Sequence, residues 1–365
     1  MKKAKWVSVA LFALTVQALE LDLYYRSKGR FREKRRIMYA DLALTQGSGL
    51  FAHLSLGTPP QNFCVIVDTF LDFTVLISST AHHADWNDKS KFNRRYSTTD
   101  ERLAQSVSVK HVLTTPIRDI FKLNGIPPIR VTFSVTGSYN PRLGVPVAGD
   151  GHLGLGYPDM GRRLPDFNIL NVLSENQLID YKRLTLLCVC AAHRNDLEPD
   201  AQVVFGSHHK IYPEEFQMVP ADINRGGWKL VVLGLGTQAG RISSITFTAS
   251  LDSTAWLSRA SVDRARLINT ALGARESGNL YFVDCNRMDQ LPTLIISFQD
   301  QDLSLSPEQY FQKENIGGRI ECFGSIAPDP EIRSEDMVLG MTFMEHFLTM
   351  FDQEAKGVGF QPRVC

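Results

Sequence analysis

An apolar-Asp-hydroxyl cluster occurs twice in this chain, as IVDTF at 66–70 and LDSTA at 251–255. Each copy is followed roughly 85–90 residues later by an apolar-Leu-Gly turn, first in GHLGLGYP and then in MVLGMTF. Few folds accommodate such a duplication. Two similar halves predict a pseudo-two-fold protein with one acidic loop contributed by each half, and 365 residues suffice for two domains that each bury a core.

Within each half, short segments rich in Val, Ile, Phe and Thr alternate with Gly, Pro and Asn-Asp turns, as in FAHLSLGTPPQNFCVIVDT and IRVTFSVTG. Long amphipathic helical periods are scarce. The best helix candidates are Ser261 to Leu272, opened by a Ser and closed by Gly273, and a short one from Phe167 to Glu175. An all-β protein with a few short helices follows.

The chain carries 39 basic and 39 acidic residues, so nothing in its charge calls for nucleic acid or an acidic partner. Its first residues, MKKAKWVSVALFALTVQA, put three lysines ahead of an apolar stretch from Trp6 to Val16. That pattern predicts a secretory signal at 1–18, cut after Ala18 and too short to span a bilayer; no later stretch has spanning length. The expected destination is secreted or endolysosomal. Residues 20–36, dense in Arg and Lys, read as a flexible arm. A shortened propeptide within 19–45, processed at Arg35-Arg36, is the functional alternative.

An oxidising route makes disulfides available to Cys64, Cys188, Cys190, Cys285, Cys322 and Cys365, with the pairing open. Cys188 and Cys190 lie two apart, on one face of a strand, which is poor geometry for bonding to each other. No Asn-x-Ser/Thr acceptor occurs. His82-His83-Ala84-Asp85 and His208-His209 read as solvent-facing loops without a spaced second ligand set, as does Lys89 to Arg95, so no metal and no cofactor is assigned.

These motifs resemble the pepsin-like aspartic peptidases. LSLGTPPQNFCVIVDT looks like the strand pair and first catalytic loop of that family, and GDGHLGLGYPDM is similar to its N-lobe glycine segment. LDSTAWL, LGARESGNLYFVDCNRMDQLPTLIISF and MVLGMTFMEHFLTMFDQEAKGVGFQP follow in the family's order, so the likeness covers nearly everything from Leu50 to Cys365. The resemblance implies a bilobal β fold, with an N-terminal lobe over 46–212 and a C-terminal lobe over 213–365. It implies a monomer that takes an extended peptide or protein in the inter-lobe cleft. It also implies a disulfide between Cys285 and Cys322.

By motif position the catalytic pair is Asp68 and Asp252, which would hold a water between them and share one proton, one as base and one as acid. Such proton sharing is an established property of the family that the motifs resemble. Thr69 and Ser253 match the hydroxyl residues that lock the two loops together. The family then has Gly in each loop, where the backbone passes close to the carboxylates; here Phe70 and Thr254 stand there. A benzyl group at that point is expected either to fill the cleft floor or to push the loop aside. The hydroxyl residues that normally come next are replaced by Leu71 and Ala255, each removing a hydrogen bond to a charged group of roughly 1.5–3 kcal/mol. Val75 takes the place of the family's flap-supporting Trp, and the hairpin containing VSVKHVLTTP lacks the flap Tyr. The expectation is an aspartic endopeptidase homologue with impaired hydrolysis; the alternative is a non-catalytic pseudoprotease that binds peptides or proteins in or around the cleft.

Overall fold

A computed structural model describes residues 19–25, 49–103, 107–109, 112–123, 126–137, 149–158, 165–188, 201–207, 211–316 and 318–363. The leader, Arg35-Arg36, Cys190, His208-His209 and Cys365 lie outside them. The molecule is built from strands with a few short helices, as the turn-punctuated Val/Ile/Phe/Thr segments predict. Both expected helices are present. Ile169–Glu175 is capped by Asn168, whose side chain accepts from the Asn171 N–H, and Val262–Ala271 follows Ser261 and ends before Gly273 at φ +88°.

The duplication is visible in the pairing. In the N-terminal lobe the strand Gln61–Asp68 ends on the first aspartate and runs parallel to Gly151–Gly154, with Ile66 beside His152 and Asp68 beside Gly154. In the C-terminal lobe Phe247–Leu251 ends one residue before the second aspartate and runs parallel to Asp336–Leu339. A third strand then crosses antiparallel in each lobe: Val75–Ile77 on Gly151–Gly154, and Ser258–Ala260 on Asp336–Leu339. The glycines in these crossings are required by close approach. A Cβ at Gly154 would collide with the backbone of Phe73, and one at Gly340 with the carbonyls of Ala255, Trp256 and Leu257.

A shared sheet joins the lobes. It runs Gln217–Pro220, Gly357–Pro362, Phe347–Asp352, Arg183–Cys188, Ala201–Phe205 and Leu19–Tyr25, then continues into Leu50–Leu56 and Gln61–Asp68. Residues 19–25 therefore differ from the flexible arm that the charge suggests, while the rest of that arm lies outside the described residues. Leu19, Leu21 and Leu23 alternate with polar residues at the strand period, and Leu19–Leu23 pair antiparallel with Ala201–Phe205. A seven-residue alternation is too short for a helical period, yet it completes the ladder between two strands and buries Leu21.

Trp228 plugs the junction. Fully buried, it meets Tyr157 edge-on at 5.1 Å and Phe351 at 5.3 Å, and its indole N–H donates to the Leu155 carbonyl at 2.9 Å. Cys285 and Cys322 are joined by a disulfide with their Cα atoms 5.3 Å apart, the pair that the family resemblance implies. Among the described residues no helix is long and apolar enough to cross a membrane.

One half-buried group contributes an acid sensitivity. Burial holds the His346 imidazole below its ordinary value, partly offset by the charge of Glu345 and by the backbone carbonyls of Gln309 and Thr342, which accept from the ring. The folded chain thus keeps this ring neutral, while the unfolded chain takes up a proton first. Its stabilisation is complete above the ordinary histidine value of about 6.5 and is lost as pH falls below it toward the folded value. Urea midpoints measured from about pH 7 to about pH 5 should fall with acidity, and His346→Gln should flatten that slope. Identical slopes in both chains would remove His346 as the cause.

Candidate functional site

Both aspartates sit where an apolar strand ends in a turn at the lobe boundary, and both are buried, Asp68 at 3% and Asp252 at 5% exposure. The residues after them cross the boundary. The Thr69 N–H donates to Ser253 Oγ at 3.1 Å and the Ser253 N–H to Thr69 Oγ1 at 3.0 Å. Each hydroxyl then donates onward into the opposite strand, Thr69 Oγ1 to the Leu251 carbonyl at 3.0 Å and Ser253 Oγ to the Val67 carbonyl at 2.6 Å. These four bonds between buried residues lock the two loops in register.

That lock decides between the two outcomes expected of Phe70. The loop is not pushed aside, since every inter-lobe bond beside it is made. The ring is half-buried, and its edge lies 3.9 Å from where a Cβ on Gly227 would be. Gly227, at φ +69°, leaves the space that a side chain there would take.

The carboxylates keep partners from their own loops. Asp68 Oδ1 accepts from the backbone N–H groups of Phe70 at 2.8 Å and Leu71 at 2.9 Å. The Leu71 side chain turns away into a small cluster with Phe73, Val75 and Phe167. Thr254, at the second motif glycine, donates both its N–H at 2.9 Å and its hydroxyl at 2.6 Å to Asp252 Oδ1. The hydroxyl lost at Ala255 is therefore replaced from the position before it.

Two basic residues at the site escaped the sequence reading. His152 is 3% exposed, and its Nδ1 lies 2.8 Å from Asp68 Oδ2, while its Nε2 is buried with no hydrogen-bond partner among the described residues. Arg259 is half-buried. One end of its guanidinium lies 3.8 Å from Asp252 Oδ2, and the other donates to Asp329 at 3.2 Å. The available signal was the repeat itself: His152 stands two residues before the glycine of the first copy where the second has Val338, and Arg259 seven residues after its aspartate where the first has Val75.

Elsewhere, Val107–Val109 pairs with the strand Val112–Leu123 as a hairpin whose turn residues, Lys110 and His111, lie outside the described set. The His83 ring packs 5.8 Å from Trp86, and among the described residues no three metal-ligating side chains gather.

The family model described as eukaryotic aspartyl protease matches residues 50–363. Cathepsin E-A of Xenopus laevis is 26% identical over 333 residues, covering 86% of this chain and 79% of that protein. Cathepsin D of Homo sapiens is 23% identical over 339 residues, 85% of this chain and 79% of the relative. A renin of Canis lupus familiaris is 25% identical over 329 residues, 85% and 78% of the two chains. With both aspartate loops, the inter-lobe lock and most of the joining sheet inside the matched span, this protein belongs to the eukaryotic aspartyl protease family.

Proposed function

We propose that this chain is a peptide-binding homologue of the aspartyl proteases in which Asp68 and Asp252 keep the place of the catalytic pair but hydrolysis is impaired. The supporting observation is the residue two places beyond each aspartate. Phe70 puts a half-buried side chain where the family has glycine, its ring edge 3.9 Å from where a Cβ on Gly227 would be, and Thr254 turns its hydroxyl onto Asp252 at 2.6 Å. Peptide hydrolysis here needs one carboxylate to take a proton from a water and the other to protonate the leaving nitrogen.

The chain is read as entering the secretory pathway by the leader at 1–18, with an arm at 19–45 and lobes at 46–212 and 213–365; the Cys285–Cys322 disulfide suits that route. The ligand is an extended peptide or protein segment laid between the lobes. No cofactor enters the reaction.

The intact inter-lobe lock favours a second reading, an active acid endopeptidase. Incubating the purified chain with denatured, fluorescently labelled casein from about pH 3 to about pH 6, beside Asp68→Asn, separates the two. No cleavage above the Asp68→Asn background is expected. Cleavage that this substitution abolishes would establish the active enzyme instead. A statine peptide that raises the melting temperature supports the peptide groove in either case, and no shift with any such peptide argues for a filled cleft.

A further inference from the structure

The two basic residues occupy related places. In the N-terminal lobe His152 stands opposite Val75 across an antiparallel strand pair, and in the C-terminal lobe Arg259 stands opposite Val338 in the matching pair. Cross-strand partners hold their Cβ atoms about 4.5–5.5 Å apart, so either member of such a pair can reach the same neighbourhood. Each lobe has thus placed one basic residue and one valine on the pair beside its aspartate, with the assignment reversed. In both lobes the basic side chain approaches Oδ2, while the loop's own donors are directed at Oδ1.

We infer that His152 and Arg259 are positioning residues that hold each aspartate to its own lobe and thereby keep the pair from gripping a common water. This deepens the impaired reading above and rests on it. His152 makes a 2.8 Å contact in a place sealed from solvent, where a bond to a carboxylate is strong. Any water that shared Asp68 Oδ2 would have to compete with a ring that cannot move away without leaving a second buried nitrogen unpartnered. Arg259 is anchored from behind by Asp329, which keeps one end of its half-buried guanidinium 3.8 Å from Asp252 Oδ2. The opposite lobe demonstrates that valine fits each position, as Val338 corresponds to His152 and Val75 to Arg259.

That correspondence supplies the test. Two full-length chains are compared on denatured labelled casein: Phe70→Gly/Thr254→Gly, and the same chain with His152→Val and Arg259→Val added. The added pair is expected to raise the cleavage rate about tenfold or more, a gain that Asp252→Asn abolishes. A loss of packing alone would not give a gain. Equal rates in the two folded chains overturn the inference alone, whereas cleavage by the unaltered chain overturns both it and the impaired reading. Should the added pair prevent folding, nitrogen NMR of His152 decides: its Nδ1 resonance should move on Asp68→Asn, and an unchanged resonance overturns the assignment.

Discussion

Replacing Trp228 with alanine should lower the unfolding free energy by about 3–5 kcal/mol, the largest loss expected from a single side chain in this protein. The indole is fully buried between Tyr157 and Phe351, and nothing nearby is free to collapse into its volume, since the backbone around it is committed to pairing. The Trp228 carbonyl accepts from the Leu251 N–H at 3.0 Å, next to the second aspartate, and the Gly227 N–H donates to the Tyr157 carbonyl at 3.0 Å. Truncation also leaves the Leu155 carbonyl without its indole donor. Trp228→Phe keeps most of the volume and loses only that bond, so it should cost about 1–3 kcal/mol. Urea midpoints of the three chains check this; equal losses for alanine and phenylalanine would mean that the hydrogen bond, not the volume, is what matters.

Ser253→Ala should cost about 2–5 kcal/mol although it removes a single oxygen. That oxygen accepts from the Thr69 N–H and donates to the Val67 carbonyl, both buried, and each is left unpaired at about 1–3 kcal/mol. Thr69→Ala should cost a similar amount for the mirrored reason. The double variant should lose clearly less than the sum, because each single change already breaks the lock on which the other depends. A double-mutant cycle by urea denaturation measures this. Strict additivity would show that the two loops are held independently.

Some of this was legible along the chain. The duplicated acid loops, the turn spacing and the Ser-opened, Gly-closed helix are local patterns, and each appears in the fold where its residues predict. The strand at Leu19–Tyr25 was missed for a local reason too: three alternating leucines beside a basic run give a weak signal until two other strands are seen waiting for hydrogen bonds. The partners of the aspartates were another matter. Phe70 and Leu71 are read from sequence by their side chains, yet their backbone N–H groups are what Asp68 uses.

The sequence by itself determined that there are two halves, that each brings a strand to an acid followed by a hydroxyl residue, and that close-packed glycines return beside it. These come from period, spacing and the steric demand of glycine, all of which act over a few residues. Only the tertiary structure decided what the acids face. His152 lies 84 positions from Asp68 and meets it because two parallel strands bring Ile66 and His152 side by side, and Arg259 reaches Asp252 because the crossing strand turns back past it. Charge at a site is set by distance in space, and β pairing makes that distance independent of separation along the chain.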